Sequence, residues 1–106
     1  MADKRLNLIT AVVQHHYGNA VLDAALKAGA TGATYFHAMG TGVRQKLGAA
    51  GSEIEVDKRV IEVLADSSKA DAVLAAIIEA GHLNEPGGGV AYVQEVIKAV
   101  GFIPAK

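Results

Sequence analysis

No cysteine occurs in the 106 residues, which excludes a disulfide framework, a thiolate nucleophile and Cys-ligated zinc. Tryptophan is absent too, and aromatics make up 5% of a chain that is 51% hydrophobic. Alanine supplies much of that apolar share, so each buried side chain removes little area from water and self-association would help a thin core. Basic charge is not in excess: ten Lys and Arg stand against eleven Asp and Glu, for a net charge of -1. Without a polybasic run to neutralise a phosphate backbone, nucleic acid is not expected as the main partner. No apolar stretch approaches the roughly eighteen residues of a spanning helix, and Met1 to Arg5 lead straight into a patterned segment of strand length. The expectation is a single domain over 1–106, cytoplasmic and not membrane-embedded.

What the chain does contain is an internal repeat. Residues 20–29, AVLDAALKAG, recur half a chain later at 72–81 as AVLAAIIEAG, identical at six of ten positions. At the same offset the apolar run Leu8 to Val12 pairs with Val60 to Leu64, so each half reads as a strand followed by a helix. Asn19 and the Asp66-Ser67-Ser68 cluster offer oxygens for helix N-caps, and Gly29 and Gly81 sit where left-handed residues end helices. Val21, Leu22, Ala25 and Leu26 share one helical face, as do Val73, Leu74, Ile77 and Ile78. β-rich segments follow each helix, Ala33 to Ala38 and Val90 to Ile97.

Two βαβ units predict an α+β, ferredoxin-like domain: a four-stranded antiparallel sheet with both helices on one face. Leu6, Leu8, Val60 and Tyr92 cannot all lie under two short helices, so the other sheet face is apolar and uncovered, the mark of an oligomer interface.

Two connections exceed what a hairpin needs. The first, 40–57, opens with Gly40 and Gly42, whose backbone N–H groups can approach an anion, and with Arg44 as a forked donor. The second, 81–89, ends in Gly87, Gly88 and Gly89. By spacing alone each also reads as an exposed flexible connector.

Taken together, the AGATGAT run at 28–34, Gly40-Thr41-Gly42-Val43-Arg44-Gln45, the long loop, a strand containing Glu62 and the triple glycine resemble the PII signalling family over nearly the whole chain. That resemblance implies a homotrimer binding an adenine nucleotide (ADP, AMP or ATP) or a small anion in clefts between subunits. It implies a T-loop at about 42–56 that contacts a target protein, a transporter or an enzyme, and it implies no catalytic residues. Carried over by position, Gly32, Ala33 and Thr34 would lie along the nucleotide, with Gly40 and the T-loop base residues Gly42, Arg44 and Gln45 near its phosphates. Glu62 and Val63 would border the adenine, and Gly87, Gly88 and Gly89 would form the B-loop; Gln45 would help hold magnesium and 2-oxoglutarate. The sequence departs from the family pattern where Gly89 leads into Val90 with no lysine, where the basic segment after the last strand is missing, and where the T-loop is short and lacks tyrosine.

His15, His16, His37 and His82 read as surface or capping groups, with no metal site assigned; a metal-binding ferredoxin-like trimer is the alternative. A small acyl-phosphate hydrolase would need an Arg and an Asn in partnership, for which Arg5, Arg44, Arg59, Asn7, Asn19 and Asn84 are available, but none forms a phosphate-loop pattern at a helix N-terminus.

Overall fold

The computed structural model describes residues 5–40 and 56–101. In chain order they form β1 (Leu6–Gln14), a 3-10 turn at His15–Tyr17, α1 (Gly18–Lys27), β2 (Gly32–Gly40), β3 (Val56–Asp66), α2 (Ser67–Ala80) and β4 (Gly89–Val96). The sheet order is β2-β3-β1-β4 and every pairing is antiparallel. This is the ferredoxin-like arrangement that the repeat predicts.

Strand alternation sorts the two faces. Ile9, Ala11 and Val13 on β1 and Ile61, Val63 and Ala65 on β3 point one way and are buried against Val21 and Ala25 of α1 and Val73 and Ile77 of α2. The largest fully buried side chains are Ile and Val, none aromatic, so close approach replaces bulk. Gly81 illustrates this: a Cβ there would come within 3.1 Å of Val13 Cγ1, Val21 Cγ2 and the Ile77 carbonyl oxygen.

Among the described residues no helix packs on the opposite face. One rung across it, Phe36, Val60, Val12 and Val90, is apolar on all four strands. Phe36 and Val90 are about half exposed, as is Tyr92 one rung away. Among the described residues this apolar face is therefore left uncovered, as the sequence predicts.

Several local expectations are corrected. α1 starts at Gly18, ahead of Asn19, whereas α2 starts at Ser67 with Asp66 of the expected cluster as its N-cap; neither N-cap, Tyr17 or Asp66, makes a side-chain capping bond. Asn19 instead accepts a hydrogen bond from Arg59 Nη1 at 3.4 Å, and the Ser67 N–H donates to the Arg5 carbonyl. Gly29 has positive φ (125°) after α1, but after α2 Gly81 stays right-handed and the left-handed residue is His82 (φ 56°). Leu26 lies 43% exposed rather than in the core, because Ala25 is the residue that faces the sheet. Val56, expected at the end of the T-loop, is already the first residue of β3, paired with Gly40.

Candidate functional site

The residues expected to bind ligand fall at two places along the sheet. The first lies between β2 and β3, where Thr34 pairs with Glu62 and Gly32 with Leu64. A cavity of about 230 Å³ opens there, lined by Thr31, Gly32, Ala33, Thr34, Glu62, Leu64 and Gly101. Four of the expected nucleotide residues, Gly32, Ala33, Thr34 and Glu62, thus share one pocket. Its lining holds two hydroxyls and one carboxylate and no Lys or Arg. Such a set hydrogen-bonds to a neutral, donor-bearing group such as a heteroaromatic amine or a sugar, and by charge it disfavours phosphate.

Val63 does not join them through its side chain. It is 1% exposed and packs into the helix-side core, because neighbours on a strand point to opposite faces. Gly101 and Leu64 belong to the pocket and escape sequence reasoning. Leu64 shares strand parity with Glu62, a signal that was available, whereas Gly101 arrives because the chain leaves β4 at the sheet end where Leu6 pairs with Val96.

The second place is the other end of the sheet, where β2 finishes at Gly40 and β4 begins at Gly89. The turn before β4 is closely built. Glu85 N–H donates to the His82 carbonyl, Gly88 N–H donates to the Glu85 carbonyl at 3.0 Å, and Gln14 Nε2 donates to the Gly87 carbonyl at 3.0 Å. A Cβ at Gly88 would collide with the His82 carbonyl oxygen, and one at Gly89 (φ 128°) with that of Val12. The Gly88 N–H is therefore already engaged within the turn. His82 stacks on Tyr17 with centroids 4.3 Å apart and pairs with Glu85 at 3.1 Å.

Lys58 stands at this same end, on the open face between Gln14 and Ala38, and is only 8% exposed. It is a cation at the end of the sheet where β4 begins with Gly89-Val90. Its parity with Val60 and Glu62 would have placed it there, yet a lysine on an open sheet face reads as solvated until its burial is seen. Gly42, Arg44 and Gln45 lie outside the described residues.

The Arg and Asn of the hydrolase alternative do meet, as Arg59 and Asn19, but not as a phosphate cradle. Arg59 packs so tightly on Gly18 that a Cβ there would lie 2.8 Å from its Cγ, and its guanidinium sits 5.4 Å over the Tyr35 ring. The Nε is buried without a partner. Among the described residues no three His, Asp or Glu side chains are grouped to hold a metal, and no helix is long and apolar enough to cross a membrane.

Fold and pocket together define a ferredoxin-like α+β domain with an open apolar face and a ligand-sized cavity beside a long β2–β3 connection. The family model for nitrogen regulatory protein P-II matches residues 6–102, and the chain belongs to that regulatory family. Among solved structures, Arabidopsis thaliana PII bound to citrate superposes with a TM-score of 0.65 at 25% identity, covering 86% of this chain and 77% of that one. The Bacillus subtilis GlnK-ATP complex gives 0.69 at 18% identity, over 87% and 82% of the two chains. A Bacillus cereus protein related to NIF3 gives 0.73 at 17% identity; it covers 92% of this chain, which spans only 27% of that longer protein. Among curated proteins, none matches the sequence significantly.

Proposed function

We propose that the protein is a non-enzymatic PII-type regulator that binds an adenine nucleotide in a cleft between two copies of itself and reports its occupancy to a target transporter or enzyme through residues 41–55. One observation carries this reading. The residues implied in ligand binding fall at two places in one chain, with Thr34 and Glu62 six residues along β2 from the Gly40–Val56 rung, about 20 Å at ~3.4 Å per residue. A contiguous site therefore needs the pocket of one copy and the Gly87–Gly89 turn of another, and the open apolar face supplies the surface that joins them.

In that assembly, a homotrimer by family, the Thr31, Thr34 and Glu62 set suits the base and sugar. Lys58 and Arg44 are the cations left for phosphate, and Gln45 is the candidate for any magnesium. Such a site favours ADP or AMP over the more highly charged ATP. The ATP and the citrate in the two P-II-fold structures support an anionic ligand of this class. A cytoplasmic regulator fits the absence of cysteine.

Calorimetric titration with ATP, ADP and AMP tests the reading. The expected result is saturable binding of at least one nucleotide, weakened roughly tenfold or more in Glu62→Gln if the carboxylate accepts a base N–H, a hydrogen bond to a charged group being worth about 1.5–3 kcal/mol. No heat at millimolar nucleotide would overturn it.

A further inference from the structure

A separate cluster lies on the helix-side face at the root of the β2–β3 connection. His15, His37, Ala38, Met39 and Asp57 line a cavity of about 240 Å³. The strand register explains why they meet. His37 and Met39 share one face of β2, Met39 pairs with Asp57, and His15 follows Gln14, whose partner Lys58 is next to Asp57. The His15 and His37 rings stand edge to face with centroids 5.0 Å apart and planes at 62°. Two imidazoles on one tetrahedral metal, each bound at about 2.0–2.1 Å, have centroids roughly 5 Å apart, so this pair is already spaced to share a cation.

The third donor decides which cation. Asp57 does not complete a three-group His and carboxylate set. Met39 lines the same cavity and is 61% exposed. A thioether is a soft ligand, poor for zinc or magnesium and suited to copper(I). Two neutral imidazoles and a thioether add no charge, and one nearby carboxylate balances a monovalent ion. Arg59, which pairs with His37 across the strands, turns its guanidinium toward Tyr35 and Asn19. We propose that His15, His37 and Met39 form a binding site for copper(I), with Asp57 as its charge-balancing wall.

The site is independent of the nucleotide cleft, since it lies on the other face of the sheet. Its position gives it reach, because Met39 and Asp57 immediately flank Gly40 and Val56, where residues 41–55 leave and rejoin the sheet.

The test is anaerobic competition of the purified full chain against the copper(I) indicator bicinchoninate. One copper(I) per chain should be withdrawn from the indicator. His37→Ala and Met39→Leu should each lower the affinity at least about tenfold, and His16→Ala, on the same turn but outside the cavity, should leave it unchanged. All these side chains are exposed, so the variants should keep the wild-type melting temperature, and Ag(I), a redox-inert probe, should shift the His15 and His37 ring signals in NMR. No withdrawal of copper, wild-type affinity in Met39→Leu, or tighter binding of zinc than of copper(I) at these residues would overturn the assignment.

Discussion

Gln14, the last residue of β1, donates from Nε2 to the carbonyl of Gly87 at 3.0 Å, across 73 positions of sequence. This bond ties the glycine turn to the central strand pair, at the end of the sheet where Lys58 is buried next to Gln14. Replacing Gln14 with Ala should cost about 1 kcal/mol in urea denaturation, the usual worth of a partly buried neutral hydrogen bond. Amide exchange at Gly88 should quicken while that at Ile9 stays unchanged. Equal protection at Gly88 in both proteins would mean that the turn holds without this tie.

Glycine at the start of β4 is a requirement of the backbone. Gly89→Ala combines a collision with the Val12 carbonyl and a φ of 128°, so a loss of about 2 kcal/mol or more is expected. Gly32→Ala provides the contrast: a Cβ there meets nothing within 4 Å, and its stability should stay within about 0.5 kcal/mol of wild type. Thermal melting of the two variants side by side decides the matter.

Core substitutions should divide the helices by face. Ile77 of α2 is fully buried, and Ile77→Ala should cost about 2–5 kcal/mol through lost transfer energy and a residual cavity. Leu26→Ala should cost less than about 1 kcal/mol, since the side chain is 43% exposed and alanine is the better helix former. Comparable losses at both positions would show that Leu26 is covered in solution.

The open face should behave as an interface. Phe36→Asp places a charge in the apolar rung with Val60, Val12 and Val90, and should convert the assembly to monomers by light scattering while circular dichroism retains the α+β signature. A wild type that is already monomeric at micromolar concentration would count against an assembly through this face.

The fold was legible because duplication states topology directly: once 20–29 and 72–81 are seen as copies, few sheet arrangements remain. Strand parity was legible as well, and applied strictly it separates Val63, in the core, from Glu62, in the pocket. Cap chemistry was legible only in part: Asp66 does stand at the N-cap of α2, but neither helix has a side-chain capping bond, Asn19 accepting from Arg59 and the Ser67 N–H donating to the Arg5 carbonyl. Lys58 and Gly101 were hidden for different reasons. A lysine on the open face reads as solvated, so nothing in the pattern signals the burial of Lys58, and Gly101 reaches the pocket only through the path taken after β4. The copper candidate was invisible as a unit, since His15, His37, Met39 and Asp57 are gathered by strand pairing and not by spacing.

The pairing of Gly40 with Val56 has a consequence for how such a regulator can change over generations. The sheet already holds Gly40 and Val56 side by side, so the closure cost of the connection between them is met by the ladder. Doubling the length of a flexible loop then adds only about 0.6 kcal/mol. A segment rooted this way can be lengthened, trimmed or exchanged at little cost to folding while the pocket and the apolar sheet face beside it persist.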